Sequence, residues 1–522
     1  MRPEPRKNLS ADPSGRFIHD LVLDACRRSP EKTAIVDASY PEPRRITYAE
    51  YGESVERIAR NLVGAGIRPG DVIAIYLPNC WEFAATYHAA TLAGAIPTPL
   101  NPSYREREVR YQLESSGAVA MVTDAPILQQ TNLSGLPGLQ RVYMIRQTSA
   151  GASPFADLLK PSAIGLPSPL RPPTETLAAL PFSSGTTGLP KGVMLTHSNL
   201  VTNVFQLNGA ANLRFDEVTL AFLPLYHIYG LNVVLTPVLS LGGTLVFLPR
   251  FDLERAIDLM VREGVTWVPM VPPVMNALCV AAEQGRFPRQ HRVRRVKCGA
   301  APLAPELARR FTDLTGIPVV QGYGMTEASP VTHVGTLEPY RPDSIGLPVA
   351  QTDCRLMADD NAQAAPGEPG ELVMRGPQFM LGYWKNPEAT AAVLRDGWFW
   401  SGDVARMDED GFYTIVDRRK EMIKYKGFPV APAEVESVLL EHPAVRDAGV
   451  VGLSDNEAGE IPCAFVVLRD GNPGSAKIAE DLRGFVAERL TSYKQPRKVE
   501  FVANIPRNPS GKILRRELRK LL

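Results

Sequence analysis

The sequence predicts an α/β protein: a large N-terminal domain of parallel-rich sheets flanked by helices, followed by a small C-terminal α/β domain. Three observations carry that prediction. The chain has 522 residues, 44% of them apolar, which is too much for one compact core. Short apolar runs alternate with helix-period segments, the pattern of parallel strands joined by crossover helices. A short charged stretch, Asp417-Arg418-Arg419-Lys420, separates residues 1–417 from residues 418–522, which carry strand and helix patterns of their own.

The elements follow in order. Thr47-Tyr-Ala-Glu50 fits a capping box, in which a Thr oxygen caps the first turn and a Glu reaches back. It starts a helix running toward Gly66. Pro69-Gly70 makes a turn, and Val72–Leu77 reads as a short buried strand. Helices are expected at Trp81–Leu92 and Arg105–Leu113, and strands at Val119–Val122, Thr219–Leu223, Thr244–Leu248 and Val265–Pro269. Beyond the junction, Ala433–Leu440 and Ile478–Leu490 read as helices, and Val445–Val451 and Ile461–Leu468 as strands. A short polar junction suits a hinge better than a floppy tether.

Charge and cysteine usage narrow the function class. Lys and Arg number 57 against 56 Asp and Glu, leaving +1. That balance argues against broad binding to nucleic acid or an anionic membrane. Six cysteines are scattered without a C-x-x-C pair or a His at zinc spacing, as expected for small buried thiols of an intracellular protein. The N-terminus has no apolar signal core. The most apolar stretch, Val233–Pro249, is interrupted by Pro237, Ser240, Gly242 and Gly243, so no transmembrane segment is expected. The expected location is the cytoplasm. Monomer and homodimer are both compatible with the sequence.

The strongest local signal is Leu180-Pro-Phe-Ser-Ser-Gly-Thr-Thr-Gly-Leu-Pro-Lys-Gly192. Glycines let backbone N–H groups approach a ligand, clustered N–H and O–H donors form an anion nest, and Lys191 adds a full charge. The natural ligand is a polyphosphate, although Ser-Thr-Gly density alone equally fits a surface loop. A Walker A loop is excluded because Pro190 stands where that motif has Gly before its Lys and Ser/Thr.

Ser183–Gly192 resembles the phosphate loop of the adenylate-forming superfamily, which includes acyl-CoA synthetases, peptide-synthetase adenylation domains and firefly luciferase. Four further segments resemble that family in the same order: Gln321-Gly-Tyr-Gly-Met-Thr-Glu327 its adenine and magnesium segment, Ser401-Gly-Asp403 its ribose segment, Asp417–Gly427 its hinge and following loop, and Pro509-Ser-Gly-Lys512 its catalytic-lysine motif. The resemblance covers nearly the whole chain. It implies ATP, Mg²⁺ and CoA as cofactors and a nucleotide site made from Ser183, Ser184, Gly185, Thr186, Thr187, Gly188, Gln321, Gly322, Tyr323, Asp403 and Arg418. It also implies a C-terminal domain that rotates about Lys420, bringing the loop Lys424–Gly427 in for the thiol step.

The residue chemistry agrees with these roles. Activating an acid requires its carboxylate to attack the α-phosphate of ATP, so two anions must meet among cations and donors. Lys191 and the hydroxyls of Ser184, Thr186 and Thr187 suit the outer phosphates, Glu327 suits the hard cation Mg²⁺, and Thr326 can donate to a phosphate or acyl oxygen. Tyr323 offers a flat face for adenine, Asp403 can accept both ribose hydroxyls, and Arg418 can hold ribose or phosphate. Lys512 is the sharpest catalytic candidate, its charge offsetting the negative charge that builds at the α-phosphate. Taken singly, Thr326-Glu327 also fits a helix start, and the basic run Lys512–Lys520 a solvated helix face. Pro506–Lys512 also resembles acetylation sites in related CoA ligases; acetylation would remove the Lys512 charge.

Within the superfamily, Val271-Pro-Pro-Val-Met275 and Lys424-Tyr-Lys-Gly-Phe428 resemble the 4-coumarate–CoA ligase branch and its bacterial medium- and long-chain acyl-CoA synthetase relatives. That resemblance implies an acyl pocket at Tyr229, Lys297, Ala300, Gly324, Pro330 and Val331, with His227 beside it. Ala300 stands where plant coumarate ligases tend to have Gly. Lys297 and Tyr229 can hydrogen-bond a phenol. The expected function is an AMP-forming acid–CoA ligase for a fatty or aryl acid. The alternatives are an acyl-AMP ligase loading an acyl carrier protein, a P-loop ATPase or kinase, and a non-catalytic nucleotide-binding module.

Overall fold

The first long helix starts where its capping residues place it. In the computed structural model Tyr48–Gly64 is helical. The Thr47 N–H donates to Glu50 Oε2 at 2.7 Å, and the Glu50 N–H donates to Thr47 Oγ1 at 3.2 Å. These reciprocal bonds satisfy donors that a helix start leaves orphaned. The buried stripe Tyr51, Val55, Ile58 and Leu62 packs on the helix Trp81–Leu92, which is buried from Trp81 to Thr91. The structure describes the chain apart from residues 1–12, 14, 130, 134, 137, 149–150, 184–188, 359–361, 427, 456, 470–473 and 509–510.

Strand–helix alternation produces the expected α/β architecture. One five-stranded sheet, ordered Ile96–Pro99, Val72–Tyr76, Ala118–Asp124, Arg141–Ile145, Ser153–Pro154, is parallel throughout. A nine-stranded sheet runs in the order Leu347–Pro348, Val331–Val334, Val319–Gly324, Arg295–Cys298, Trp267–Met270, Val218–Ala221, Thr244–Phe247, Thr33–Asp37, Arg44–Thr47. Its interior is parallel and its edges are antiparallel. Interior strands such as Thr244–Phe247 and Trp267–Met270 are buried at every position, so they read as continuous apolar runs in the sequence.

Residues beyond the junction form a second unit. The strand Tyr413–Arg418 pairs with Trp398–Met407 in an antiparallel sheet of the larger part. The next strand, Ile423–Tyr425, belongs to a separate five-stranded sheet with Phe428–Val430, Val445–Asp455, Gly459–Leu468 and Lys498–Phe501. This unit has its own apolar clusters, one around Val435, Leu439, Val466 and Leu482, the other around Phe465, Ile505 and Leu518. The helices Pro432–Leu440 and Ala476–Ala487 cover it. All six cysteines are free thiols. Among the described residues no helix is long and apolar enough to cross a membrane.

Candidate active site

The phosphate-loop segment sits on a hairpin. Phe182–Ser183 pairs antiparallel with Lys191–Thr196, and Ser183 stands directly opposite Lys191. The expected phosphate-binding residues Ser184, Gly185, Thr186, Thr187 and Gly188 lie outside the described residues. Glu327 closes on this hairpin from the single-turn helix Thr326–Ala328. Its Oε1 accepts from Ser183 Oγ at 3.0 Å and from the Tyr383 hydroxyl at 2.8 Å. The Lys191 ammonium lies 5.0 Å from the Tyr383 ring centroid. Burial and the adjacent Glu327 carboxylate hold the Tyr383 hydroxyl protonated. Glu327 Oε2 and the Thr326 hydroxyl accept or donate no bond among the described residues. No group of three His, Cys, Asp or Glu side chains forms a metal cage among those residues. A single carboxylate with a spare oxygen therefore fits a hard cation that takes its other ligands from phosphate and water.

The ribose segment meets the adenine segment across the sheet edge. The Tyr323 hydroxyl donates to Asp403 Oδ2 at 2.5 Å, and Arg418 Nε lies 3.4 Å from Asp403 Oδ1. Asp403 and Arg418 are register partners on neighbouring strands. Ser401 Oγ receives the Asp403 N–H at 3.1 Å and donates to the Leu372 carbonyl at 2.6 Å, fixing the bend at Gly402, whose φ is +72°. Gln321 spends its side-chain N–H on the Pro342 carbonyl at 2.6 Å, so in this geometry it holds a loop.

Lys512 reaches this pair from the C-terminal unit. Gly511 has φ +83°, and a Cβ there would lie 3.2 Å from Pro273 Cδ and 3.5 Å from Val271 Cβ. Only a residue without a side chain lets the loop turn and lie against the start of the helix Pro272–Glu283. Asn508 then brackets Lys512: its Oδ1 accepts the Lys512 N–H and its own N–H donates to the Lys512 carbonyl, both at 2.9 Å. Burial, with the neighbouring Arg418, pushes the Lys512 ammonium down to about 8, against the opposing pull of Glu421 and Asp403. Three residues on, Arg515 is buried and ion-paired to Glu421 at 2.9 Å and to Glu436. Lys420 is exposed. Lys424 is exposed on the hairpin Ile423–Tyr425/Phe428–Val430, its N–H donating to Glu460 at 2.8 Å. The structure thus brings Lys512 near Asp403 and Arg418, while the Lys424 N–H bonds within its own unit. Gly427 lies outside the described residues.

The residues expected to line an acyl pocket lie on and around the strands Arg295–Cys298, Val319–Gly324 and Val331–Val334. Lys297 is 4% exposed, and its Nζ has no hydrogen-bond partner among the described residues. Burial is the main cause, with Arg295 second, that pushes this ammonium down to about 7. Its Cε lies 2.4 Å from where a Cβ on Gly322 would stand, so Gly322 is the groove in which the lysine lies. A Cβ on Gly324 would be 1.8 Å from the Pro330 carbonyl oxygen. The Tyr229 hydroxyl donates to the Lys297 carbonyl at 3.1 Å, which leaves its oxygen free to accept. Ala300 is exposed with φ +68°, a left-handed conformation in which a Cβ is strained. His227 Nδ1 accepts the Tyr229 N–H at 3.2 Å, and burial pushes its pKa down to about 4. It is therefore a neutral imidazole carrying its proton on Nε2.

Several positioning residues escape sequence reasoning. Asn203 clamps Val331 by accepting its N–H at 3.0 Å and donating to its carbonyl at 2.7 Å. Asn232 donates to the Ser329 carbonyl at 2.7 Å. These buried amides hold the segment 329–331, Asn203 through both its oxygen and its nitrogen and Asn232 through its nitrogen. Tyr383, which donates to Glu327, is another such residue. The only local hints are Asn residues inside otherwise apolar helical segments and an aromatic after Gly382.

The chain is similar to known proteins along nearly its whole length. The family model described as "AMP-binding enzyme" matches residues 22–384, and "AMP-binding enzyme C-terminal domain" matches residues 434–512. 4-Coumarate–CoA ligase 5 of Oryza sativa subsp. japonica is 38% identical over 520 residues, covering 97% of this chain and 94% of that protein. 4-Coumarate–CoA ligase 3 of Arabidopsis thaliana is 39% identical over 524 residues, covering 97% and 91%. The solved anthranilate CoA ligase AuaEII, in complex with anthranoyl-AMP, superposes with a TM-score of 0.89 at 25% identity, covering 98% of each chain. A benzoate CoA ligase from Burkholderia xenovorans LB400 does so with a TM-score of 0.87 at 26% identity, covering 97% and 100%.

Proposed function

The chain belongs to the AMP-binding enzyme family and is an AMP-forming acid–CoA ligase, and from that premise we propose that its acid is an aryl one with a hydrogen-bonding group at its far end. The observation that carries this reading is Lys297. A buried ammonium or amine without a partner is costly, and nothing among the described residues satisfies it. An oxygen on the distal end of the acid would accept from Lys297 while donating to the free Tyr229 oxygen. A phenol does both. The relatives named 4-coumarate–, anthranilate– and benzoate–CoA ligases support an aromatic acid.

The reaction runs in two steps. The carboxylate attacks the α-phosphorus of ATP, its oxygen–phosphorus bond forms, and pyrophosphate leaves. The CoA thiol then attacks the acyl carbonyl, and AMP leaves. In our reading Lys191 and the hairpin hold the outer phosphates, Tyr323 stacks on adenine, and Asp403 with Arg418 holds the ribose. Lys512 approaches the α-phosphate beside Asp403, where a cation stabilises the charge building on the phosphoryl oxygens. Thr326 supplies a free hydroxyl to the same region, and neutral His227 lines the approach to the acyl group. Glu327 would hold Mg²⁺ through its spare oxygen, and the ion would supply charge neutralisation of the phosphates. The boundary falls at 417/418, and Lys420 is the hinge about which the C-terminal domain turns, carrying Lys512 away and Lys424 in for the thiol step. Fixed geometry cannot serve both steps, because two different groups must occupy the same face of the adenylate.

Product analysis tests the reading: ATP, Mg²⁺ and CoA with 4-coumarate, benzoate, and straight-chain acids from acetate to palmitate. AMP plus aryl-CoA is expected. Acyl-CoA from straight-chain acids alone would overturn the aryl assignment, and pyrophosphate exchange without acyl-CoA would move the acceptor to a carrier protein.

A further inference from the structure

His333 is fully buried and takes no part in either reaction step. It stands opposite Tyr323 on the neighbouring antiparallel strand, and directly opposed side chains share one face of a sheet. The two rings meet edge to face, 5.8 Å apart and at 64°. The same imidazole meets the Tyr413 ring at 4.8 Å and 62°. Hydrogen bonds fix its tautomer. The Thr332 hydroxyl donates to the Tyr323 carbonyl at 3.4 Å, so its oxygen accepts from His333 Nδ1–H at 3.0 Å. Nε2 is then the acceptor and faces the Cys354 thiol at 3.7 Å. Burial keeps that thiol protonated and the imidazole neutral, its pKa pushed down to about 3. The two tyrosines belong to different sheets. Tyr323 is on the nine-stranded sheet, and Tyr413 is on the antiparallel sheet whose strands Trp398–Met407 and Tyr413–Arg418 carry Asp403 and Arg418. The backbones join at a narrow seam, where the Ile345 N–H donates to the Tyr413 carbonyl at 2.9 Å and the Tyr413 N–H to the Gly346 carbonyl at 3.1 Å. The bond from the Tyr323 hydroxyl to Asp403 crosses as well. A ribose hydroxyl arriving at Asp403 competes with that bond, whereas the packing of His333 does not depend on it.

We propose that His333 is a positioning residue for ATP: wedged between Tyr323 and Tyr413, it sets the adenine-facing ring of one sheet against the ribose-holding pair of the other. The proposal rests on the reading that Tyr323, Asp403 and Arg418 hold the nucleoside. A nucleoside is short and stiff, so base and sugar both bind well only when their two supports stand at one separation. A small displacement of either support loses contacts at both ends. The hydrogen-bonded run Cys354, His333, Thr332, Tyr323 holds the wedge in a single orientation. Its influence therefore falls on the nucleotide and on the discrimination of the sugar, and not on the acid.

The test measures kcat and KM for ATP, KM for the acid, and the ratio of kcat/KM for ATP to that for 2′-deoxy-ATP, on the full-length enzyme. His333→Leu fills the volume without a ring edge. It is expected to raise KM for ATP about three- to tenfold, the scale of one lost aromatic edge contact, with kcat and the acid KM little changed. The ratio of ATP to 2′-deoxy-ATP is expected to shrink, because a displaced Asp403 meets the 2′-hydroxyl less well. His333→Phe keeps the aromatic edge and loses the hydrogen bonds; it is expected to restore most of the ATP affinity and of the ratio. His333→Gln, polar but without a ring, takes the place of the leucine variant if that one fails to fold. A wild-type KM and ratio in the ringless variant would overturn the proposal. So would losses shared by ATP and acid with the ratio unchanged, or a phenylalanine variant no better than the leucine one. Tyr323→Leu and Asp403→Asn test the underlying reading separately. An unchanged KM for ATP in both removes the nucleoside site and the wedge with it, whereas a raised KM in those two and not in His333→Leu removes the wedge alone.

Discussion

The Asp417 carboxylate accepts the Ala433 N–H at 2.8 Å and the Arg418 N–H at 2.7 Å, joining the last strand before the junction to the first helix after it. Asp417 is 5% exposed, and burial raises its pKa to about 6 against the pull of the neighbouring Arg515. This is a direct bond between the two units in the orientation that places Lys512 at Asp403. Asp417→Asn can accept from only one of the two N–H groups through its single carbonyl oxygen, leaving a buried donor unpaired at a cost of about 1–3 kcal/mol. Pyrophosphate exchange is expected to fall several-fold, while conversion of supplied acyl-adenylate to acyl-CoA stays at the wild-type rate. Equal losses in both half-reactions would exclude an orientation-specific latch.

In the proposed role, Lys512 has to be charged to stabilise the α-phosphate. Its folded pKa is lowered to about 8, so the competent form is full below that pH and is lost as pH rises through it. The kcat/KM for ATP, which reports free-enzyme ionisations, is expected to decline above about pH 8, about tenfold per unit. Lys512→Arg removes the titration, because a guanidinium stays charged. Its residual activity should be flat from pH 7 to 10, and a matching decline in that variant would point to another group.

Ala300 occupies a left-handed backbone position. Glycine there relieves about 1–2 kcal/mol of strain and gives back part of it through the greater freedom of the unfolded chain. Ala300→Gly is expected to raise the melting temperature slightly and to widen the pocket by one methyl. Bulkier ring-substituted acids should improve relative to benzoate. A lowered melting temperature with an unchanged acid profile would contradict the geometry.

Lys297 has no hydrogen-bond partner to lose among the described residues. Its folded pKa of about 7 lies below the unfolded value of 10.5, so the unfolded chain binds the extra proton between those values. The penalty for burying the lysine is full below pH 7 and fades as pH approaches 10.5. Lys297→Met, similar in volume and uncharged, is therefore expected to stabilise the protein more at pH 6 than at pH 10 in chemical denaturation. A larger gain at the alkaline end would mean that the ammonium is compensated.

Glu327 presents one oxygen to Ser183 and Tyr383 and keeps the other unbonded among the described residues. Glu327→Gln retains the first acceptor and loses the charge. The Mg²⁺ concentration for half-maximal adenylation is expected to rise, with the maximal rate down by about 10²–10³, the scale of removing one electrostatic contact to the reacting phosphates. An unchanged Mg²⁺ titration would assign Glu327 to holding the hairpin alone.

The boundaries of the elements show what was legible locally. Trp81–Leu92, Thr244–Phe247 and Pro432–Leu440 fall within a residue or so of expectation, because continuous apolar runs and helix caps act within a few residues. The strands Arg295–Cys298 and Val319–Gly324 were not expected, although they carry Lys297, Gly322 and Tyr323. Arg, Lys and glycines break the apolar run that marks a buried strand. The sheet accepts them because Lys297 lies over Gly322 and because Gly324 meets the Pro330 backbone. Thr326 and Glu327 do begin a short helix, so the plain reading and the functional one coexist there.

Family, reaction type and the order of the motifs came from the linear chain, since each motif is a local sequence of donors, glycines and charges. The working state of those groups did not. Tyr323 and Asp403 stand 80 positions apart, and Ser183 and Glu327 144 apart. The Lys512 ammonium is pushed down by burial and by Arg418, at the end of the distant strand Tyr413–Arg418. Burial, ion pairing and unsatisfied donors depend on which distant segments share a volume, and that is settled by packing rather than by neighbours along the chain.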